Sequence, residues 1–232
     1  MPEPEQDVLA VVPIASSIQD HRLVLTLSGR TVLDWTLSAL RSCPRVARIV
    51  VATERHVSRG VRSAVQKYSA VNPVQVVEAS SGRIAAIAEA VASMPECNRV
   101  LIHDPDRPLL SSQQFMSLLA LAENAPVAVP AVLLKSTFKQ VHDSQVEATV
   151  PRNRLLRLQT PRIFDRRVLE SVLAMAAEQG WQAADELSLV RQAAVNVHLL
   201  PGDYFNIPLS DRLDVEFVEL AIARHLLPAL AG

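Results

Sequence analysis

Asp104 is the residue whose position most invites chemistry. It closes the apolar run RVLIHD at 99–104, which reads as a buried strand ending on a carboxylate. Ligands of doubly wound sheets sit outside the carboxyl ends of the strands. A hard Mg²⁺ escorted by phosphates accepts one carboxylate at such a place. The other reading of Asp104 is a cap on the following turn, with Arg107 pairing to Asp106. Cys43 and Cys97 lie in neither a C-x-x-C nor a Cys/His cluster, so neither a disulfide framework nor a structural zinc is supported. The chain has 15 prolines against 6 glycines, and no glycine stands between Met1 and Gly29. That is an unusual balance for a protein that must bring backbone N–H groups close to phosphate, because glycine adopts the required conformations freely.

The elements that must position these groups follow from hydrophobic periodicity. VLAVVPI (8–14), ARIVVAT (47–53), VQVVEA (74–79), RVLIHD (99–104), APVAVPAV (125–132) and VNVHLL (195–200) read as buried parallel strands. Helical patterns lie between them: 31–43, 57–68, 82–94, a helix capped at Ser111 or Ser112, and 167–179 ending at Gly180. A last amphipathic helix is expected over Asp211–Leu227. This alternation predicts an α/β fold with a doubly wound, mostly parallel sheet in one domain spanning 1–232. Lys135–Leu158 breaks the pattern and reads as extended strands around a turn at Asp143-Ser144, an inserted β-arm. A lone hairpin is marginal in water, so the arm is expected to form a homodimer.

Lys and Arg number 23 against 24 Asp and Glu, and aromatics make up 4%. No global field recruits nucleic acid or an anionic membrane, and the expected partners are small molecules. The opening MPEPEQD has no basic segment followed by an apolar run, and no 18-residue uncharged apolar window follows, so a cytoplasmic protein is expected.

Four separated motifs carry a family resemblance. RVLIHDPDRPLL (99–110) is similar to a strand ending in H-D-A-A-R-P, and STFK (136–139) resembles D-T-x-K. VPRNRLLRLQTPRIF (150–164) is similar to D-R-x-x-L-x-x-x-Q-T-P-Q-x-F, and GDYFNIPLS (202–210) to G-D-x-x-N-x-K-x-T. In this order and spacing they resemble the methylerythritol phosphate cytidylyltransferases, which are Rossmann-like nucleotidyltransferases. The resemblance implies transfer of a cytidylyl group from CTP to 2-C-methyl-D-erythritol 4-phosphate, with release of pyrophosphate, in isoprenoid precursor synthesis. It implies Mg²⁺ on Asp104, a nucleotide site at Pro13, Ile14, Ala15, Arg83, Asp104 and Arg107, and an acceptor site at Thr137, Arg152 and Thr160. Arg22 falls on the catalytic lysine of the family's loop; its other reading is a solvated arginine in a polar turn.

The chain departs from that pattern in clustered places. The glycine-rich loop is about five residues short and its arginine has no counterpart. Ala86 replaces a serine, Ala184 a threonine, Ser136 an aspartate and Pro208 a lysine. A lysine or hydroxyl lost from an anion site costs on the order of 1–3 kcal/mol. Two expectations follow: a weak or inactive family member kept as a binding or regulatory partner, or an active nucleotidyltransferase with altered nucleotide or sugar-phosphate specificity.

Overall fold

The computed structural model describes residues 7–14, 25–68, 73–80 and 82–224. The expected site residues Ala15 and Arg22, and the last residues of the expected 211–227 helix, lie outside these ranges.

Strand β1 (Val8–Ile14) is buried along its whole length. Val8, Ala10, Val12 and Ile14 face one core layer while Leu9 and Val11 face the other, the period-2 alternation of a strand covered on both faces. A two-residue hairpin follows, β2 (Thr26–Leu27) and β3 (Arg30–Thr31), then α1 (Val32–Arg41), β4 (Val46–Glu54), α2 (Arg55–Val65) and β5 (Val74–Ala79). The chain continues through α3 (Arg83–Ser93), β6 (Arg99–Ile102), α4 (Ser112–Leu121) and β7 (Val127–Leu133). The arm strands β8 (Phe138–His142) and β9 (Gln145–Val150) come next, then β10 (Leu156–Leu158), β11 (Arg162–Asp165), α5 (Arg166–Gln179), α6 (Glu186–Gln192), β12 (His198–Pro201) and α7 (Arg212–Ala223).

Among the described residues the main sheet runs β10-β7-β11-β6-β1-β4-β5, with β12 also paired to β7. The pairs β1–β4, β1–β6, β4–β5 and β7–β12 are parallel; β11 runs antiparallel to β6 and β7, and β10 to β7. Leu33 and Leu37 of α1, Val61 of α2 and Phe115 of α4 fill one face. Ile87 of α3, Leu169 of α5 and Leu189 of α6 fill the other. The doubly wound α/β architecture is therefore as the residue pattern implies.

Helix boundaries follow local chemistry. Ser111 and Gln114 form a reciprocal capping box on α4, and Asp165 accepts from Arg167 N and Val168 N at the start of α5. Gly180 ends α5 in the left-handed conformation at φ 64°.

Three expectations change. VQVVEA is the edge strand β5 and is only partly buried, and the 195–200 run contributes just β12, from His198, with most of its residues exposed. Edge position explains both, because an outer strand has one neighbour and incomplete cover. The hairpin proper spans 138–150, with Asp143 and Ser144 at positive φ (46° and 65°), whereas 156–158 leaves it and joins the main sheet against β7.

Candidate active site

Asp104 lies just beyond β6, on the carboxyl side of the sheet. His103 N donates to Val11 O (2.9 Å), extending the β6–β1 pairing to the edge where Asp104 emerges. His103 itself is fully buried. Its Nε2 faces the carbonyl of Arg107 (3.2 Å), so this nitrogen carries the proton and Nδ1 is the acceptor. Thr160 then donates its hydroxyl to Nδ1 (3.2 Å) while accepting from Asp104 N (3.1 Å). Burial pushes the His103 pKa down to about 4, which keeps the ring neutral and this chain of hydrogen bonds intact at pH 7. The H-D-P-D-R turn is thereby fixed from within.

Arg83 opens α3 after Gly82, whose φ of 98° suits glycine and whose N–H donates to Glu54 Oε1 (3.3 Å). Its guanidinium spans two carboxylates. Nη1 meets Asp104 Oδ1 at 2.8 Å; Nε and Nη2 meet Glu186 Oε2 and Oε1 at 2.9 and 3.2 Å. The Glu186 side chain has 0% exposure and also meets Arg162 Nη1 at 3.1 Å. Arg162 reaches Asp185 at 2.9 Å, and Asp185 in turn caps α6 by accepting from Ser188 N. Arg107 closes the group, with Nε 3.6 Å from Asp104 Oδ2 and Nη1 donating to Asn206 O (2.8 Å). Three guanidiniums, Arg83, Arg107 and Arg162, thus face three carboxylates, Asp104, Asp185 and Glu186.

The titration directions match this geometry. Burial acts to raise the Asp104 pKa, but Arg83 and Arg107 outweigh it and hold the carboxyl below its ordinary value. Burial acts to lower the Arg83 pKa, and Glu186 with Asp104 reverses it. For Arg107 burial prevails over Asp104 and Asp106, and the value falls.

Arg83, Asp104, Arg107 and Thr160 therefore come together as one unit. Arg107, expected in the nucleotide site with pairing to Asp106 as the alternative, forms an ion pair with Asp104. Thr160 is buried at 1% exposure, and its hydroxyl faces inward to orient Asp104. Pro13 and Ile14 end β1 in register with Ala52 and Thr53, buried at the same edge. Thr137 and Arg152 lie apart, exposed beside the arm. There Arg152, Lys135, Leu133 and Tyr204 line a groove of about 460 Å³, and Lys135 Nζ sits 3.9 Å over the Tyr204 ring.

Sequence reasoning passes over Glu186, Asp185, Arg162 and His103 as functional groups. The signal available for the first two is the acidic pair in AADELS; a buried carboxylate needs cations, and Arg83 lies 103 positions away.

A mostly parallel sheet with an acid and arginines gathered at its carboxyl edge has the architecture of a nucleotidyltransferase. The sequence model of 2-C-methyl-D-erythritol 4-phosphate cytidylyltransferase matches residues 9–224. The chain belongs to that family. A relative of that name from Gloeobacter violaceus is 31% identical over 209 residues, covering 89% of this chain and 90% of the relative. One from Dehalococcoides mccartyi is 28% identical over 204 residues, 88% of each chain. The crystal structure of 2-C-methyl-D-erythritol 4-phosphate cytidylyltransferase from Thermus thermophilus superposes with a TM-score of 0.77 at 26% identity, over 95% of this chain and 100% of that one. The 4-diphosphocytidyl-2C-methyl-D-erythritol synthase of Anaerococcus prevotii shares the fold, with a TM-score of 0.82 at 22% identity over 94% and 99% of the two chains.

Proposed function

We propose that this chain is a divergent methylerythritol phosphate cytidylyltransferase-like protein that turns over CTP and 2-C-methyl-D-erythritol 4-phosphate weakly or not at all, with Arg83, Asp104 and Arg107 on the nucleotide side and Thr137, Arg152 and Thr160 on the acceptor side. Its main role on this reading is binding or regulation. In the family reaction an oxygen of the acceptor's phosphate attacks the α-phosphate of CTP, and the bond from that phosphorus to the bridging oxygen of the leaving pyrophosphate breaks. Protein groups contribute positioning and charge neutralisation rather than covalent chemistry. The observation that carries the reading is the internal balance of the cluster: Arg83 hydrogen-bonds Asp104 and Glu186, and Arg107 and Arg162 stand within ion-pair distance of Asp104, Asp185 and Glu186 without hydrogen-bonding them. A triphosphate must draw these arginines away. The usual supplements are also missing, for Pro208 has no ammonium, Ala184 no hydroxyl, and Ala86 is a 2%-exposed packing residue.

Among the described residues no cluster of three or more His, Cys, Asp or Glu gathers to hold a metal. Asp104, ionised and at the strand edge, suits one Mg²⁺ that keeps phosphates and water as its other ligands. Such an ion supplies positive charge at the phosphates. Asp104 would hold it, and Arg83 and Arg107 would turn toward phosphate oxygens.

A second reading, an active nucleotidyltransferase of shifted donor or acceptor specificity, is favoured by Arg162. It stands where the family motif has glutamine and adds a cation to the cluster. Arg22, which lies outside the described residues, Arg83, Asp104 and Arg152 carry the neutralisation on this reading. We assign the chain to the cytoplasm, and pair it as a homodimer through the 135–158 arm, whose Val141 and Val146 are exposed at 56% and 64%. Among the described residues no helix is long and apolar enough to cross a membrane. A pyrophosphate-release screen over nucleoside triphosphates and sugar or alditol phosphates separates the readings. Rates near those of the Thermus thermophilus protein with CTP and 2-C-methyl-D-erythritol 4-phosphate contradict both, and rapid release with another pair selects the second.

A further inference from the structure

Arg83 makes three hydrogen bonds to two carboxylates in very different settings. Its Nε and Nη2 donate to Glu186 Oε2 and Oε1 at 2.9 and 3.2 Å, the two-pronged pairing that fixes a guanidinium in its own plane. The remaining nitrogen, Nη1, reaches Asp104 Oδ1 at 2.8 Å through a single bond. The Glu186 side chain is closed to solvent, whereas that of Asp104 is 20% exposed. Glu186 is itself held in place: it opens α6 behind the Asp185 cap, and Arg162 Nη1 stands 3.1 Å from its Oε1. A buried carboxylate between two guanidiniums has no solvent to turn to, so parting Arg83 from Glu186 costs more than parting it from the partly exposed Asp104.

We propose that Glu186 is a positioning residue for the nucleotide: it is the permanent hold on Arg83, Asp104 is the exchangeable one, and Arg83 delivers Nη1 to a phosphate oxygen while its Nε and Nη2 stay on Glu186. The role rests on the nucleotide-side reading of Arg83 and Asp104. It confines the exchange at Arg83 to one bond of three, the bond to the carboxylate suited to Mg²⁺. It also gives Glu186 an effect opposite in sign to its charge. A carboxylate near a triphosphate repels it, so neutralising Glu186 would by charge alone tighten nucleotide binding. Losing the hold on Arg83 weakens it, because the guanidinium then has to be ordered at the moment of binding.

Arginine side-chain ¹⁵N spectra of the full chain, titrated with CTP and Mg²⁺, read this hold without requiring turnover. The Arg83 signals are assigned by their absence in Arg83→Lys. Nε should keep its position up to saturation while Nη1 moves. Glu186→Gln should displace Nε in the nucleotide-free chain and weaken CTP binding about tenfold, the scale of one lost charge-assisted hydrogen bond. In the Arg83→Lys chain, whose ammonium cannot be gripped on two nitrogens, the same substitution should weaken binding no further. An Nε signal that moves with CTP, a Glu186→Gln chain that binds CTP as tightly as the unaltered one or more tightly, or equal weakening in both backgrounds overturns the role of Glu186 and leaves the nucleotide site standing. No spectral change at millimolar CTP overturns the nucleotide site, and this role with it.

Discussion

Replacing Glu186 by alanine removes a carboxylate with no solvent exposure that is shared by two guanidiniums. Breaking a buried ion pair from one side costs about 3–5 kcal/mol, because the remaining charge stays desolvated. Here Arg83 keeps Asp104 and Arg162 keeps Asp185, which moves the expectation to the lower end, about 3 kcal/mol. With a urea m-value of about 3 kcal/mol/M, the unfolding midpoint should fall by roughly 1 M. Glu186→Gln retains shape and some hydrogen bonding and should cost less, about 2 kcal/mol. The control is Arg212→Ala, since Arg212–Glu216 is a pair with side chains 91% and 56% exposed; its loss should stay under about 0.5 kcal/mol. Urea melts at low and high salt complete the assay, because the buried pair should be much less sensitive to screening. A midpoint shift for Glu186→Ala as small as that of Arg212→Ala refutes the buried-cluster account.

His103 has a folded pKa depressed to about 4 from 6.5, so its contribution is fully present above about pH 6.5 and is lost as pH falls toward 4. The full shift corresponds to about 3 kcal/mol, and ¹⁵N imidazole spectra should show an Nε2–H tautomer that stays neutral at pH 5.5; a midpoint near 6.5 contradicts it. Gly202→Ala would place a Cβ 2.8 Å from Ala131 O and closer still to Gln159 Oε1, so it should cost about 1–3 kcal/mol in a denaturant melt, and a neutral effect rejects the close approach. Thr160→Val strips Asp104 N and His103 Nδ1 of their partner at nearly constant volume; a loss of about 1–3 kcal/mol is expected, and under about 0.5 counts against the relay.

The layers of the fold were legible because β1, β4 and β6 are buried runs and the intervening helices bury one stripe each. The turn at Asp143-Ser144 was legible from turn chemistry alone. Edge strands were harder to read: the apolar content of VQVVEA suggests a centre strand, and only the sheet order shows that β5 has a single neighbour among the described residues. Strands β2, β3 and β11 are two to four residues long, too short for periodicity to register. At the site, Asp104, Arg83 and Arg107 could be read from local motifs. The rest of the cluster could not, since Glu186 and Arg162 are contributed from across the chain by α6 and β11. Thr160 was expected in the acceptor site from the resemblance, and its inward role emerges only with the buried ring of His103 beside it.

On the proposed reading the cluster's arginines are balanced by the protein's own carboxylates and hold a triphosphate weakly. Calorimetric titration of the chain with CTP and Mg²⁺, followed by addition of 2-C-methyl-D-erythritol 4-phosphate with pyrophosphate detection, tests this directly. The expected result is a dissociation constant above about 100 µM and little pyrophosphate, in line with several weakened contacts of roughly 1–2 kcal/mol each. Micromolar affinity coupled to rapid pyrophosphate release would contradict it.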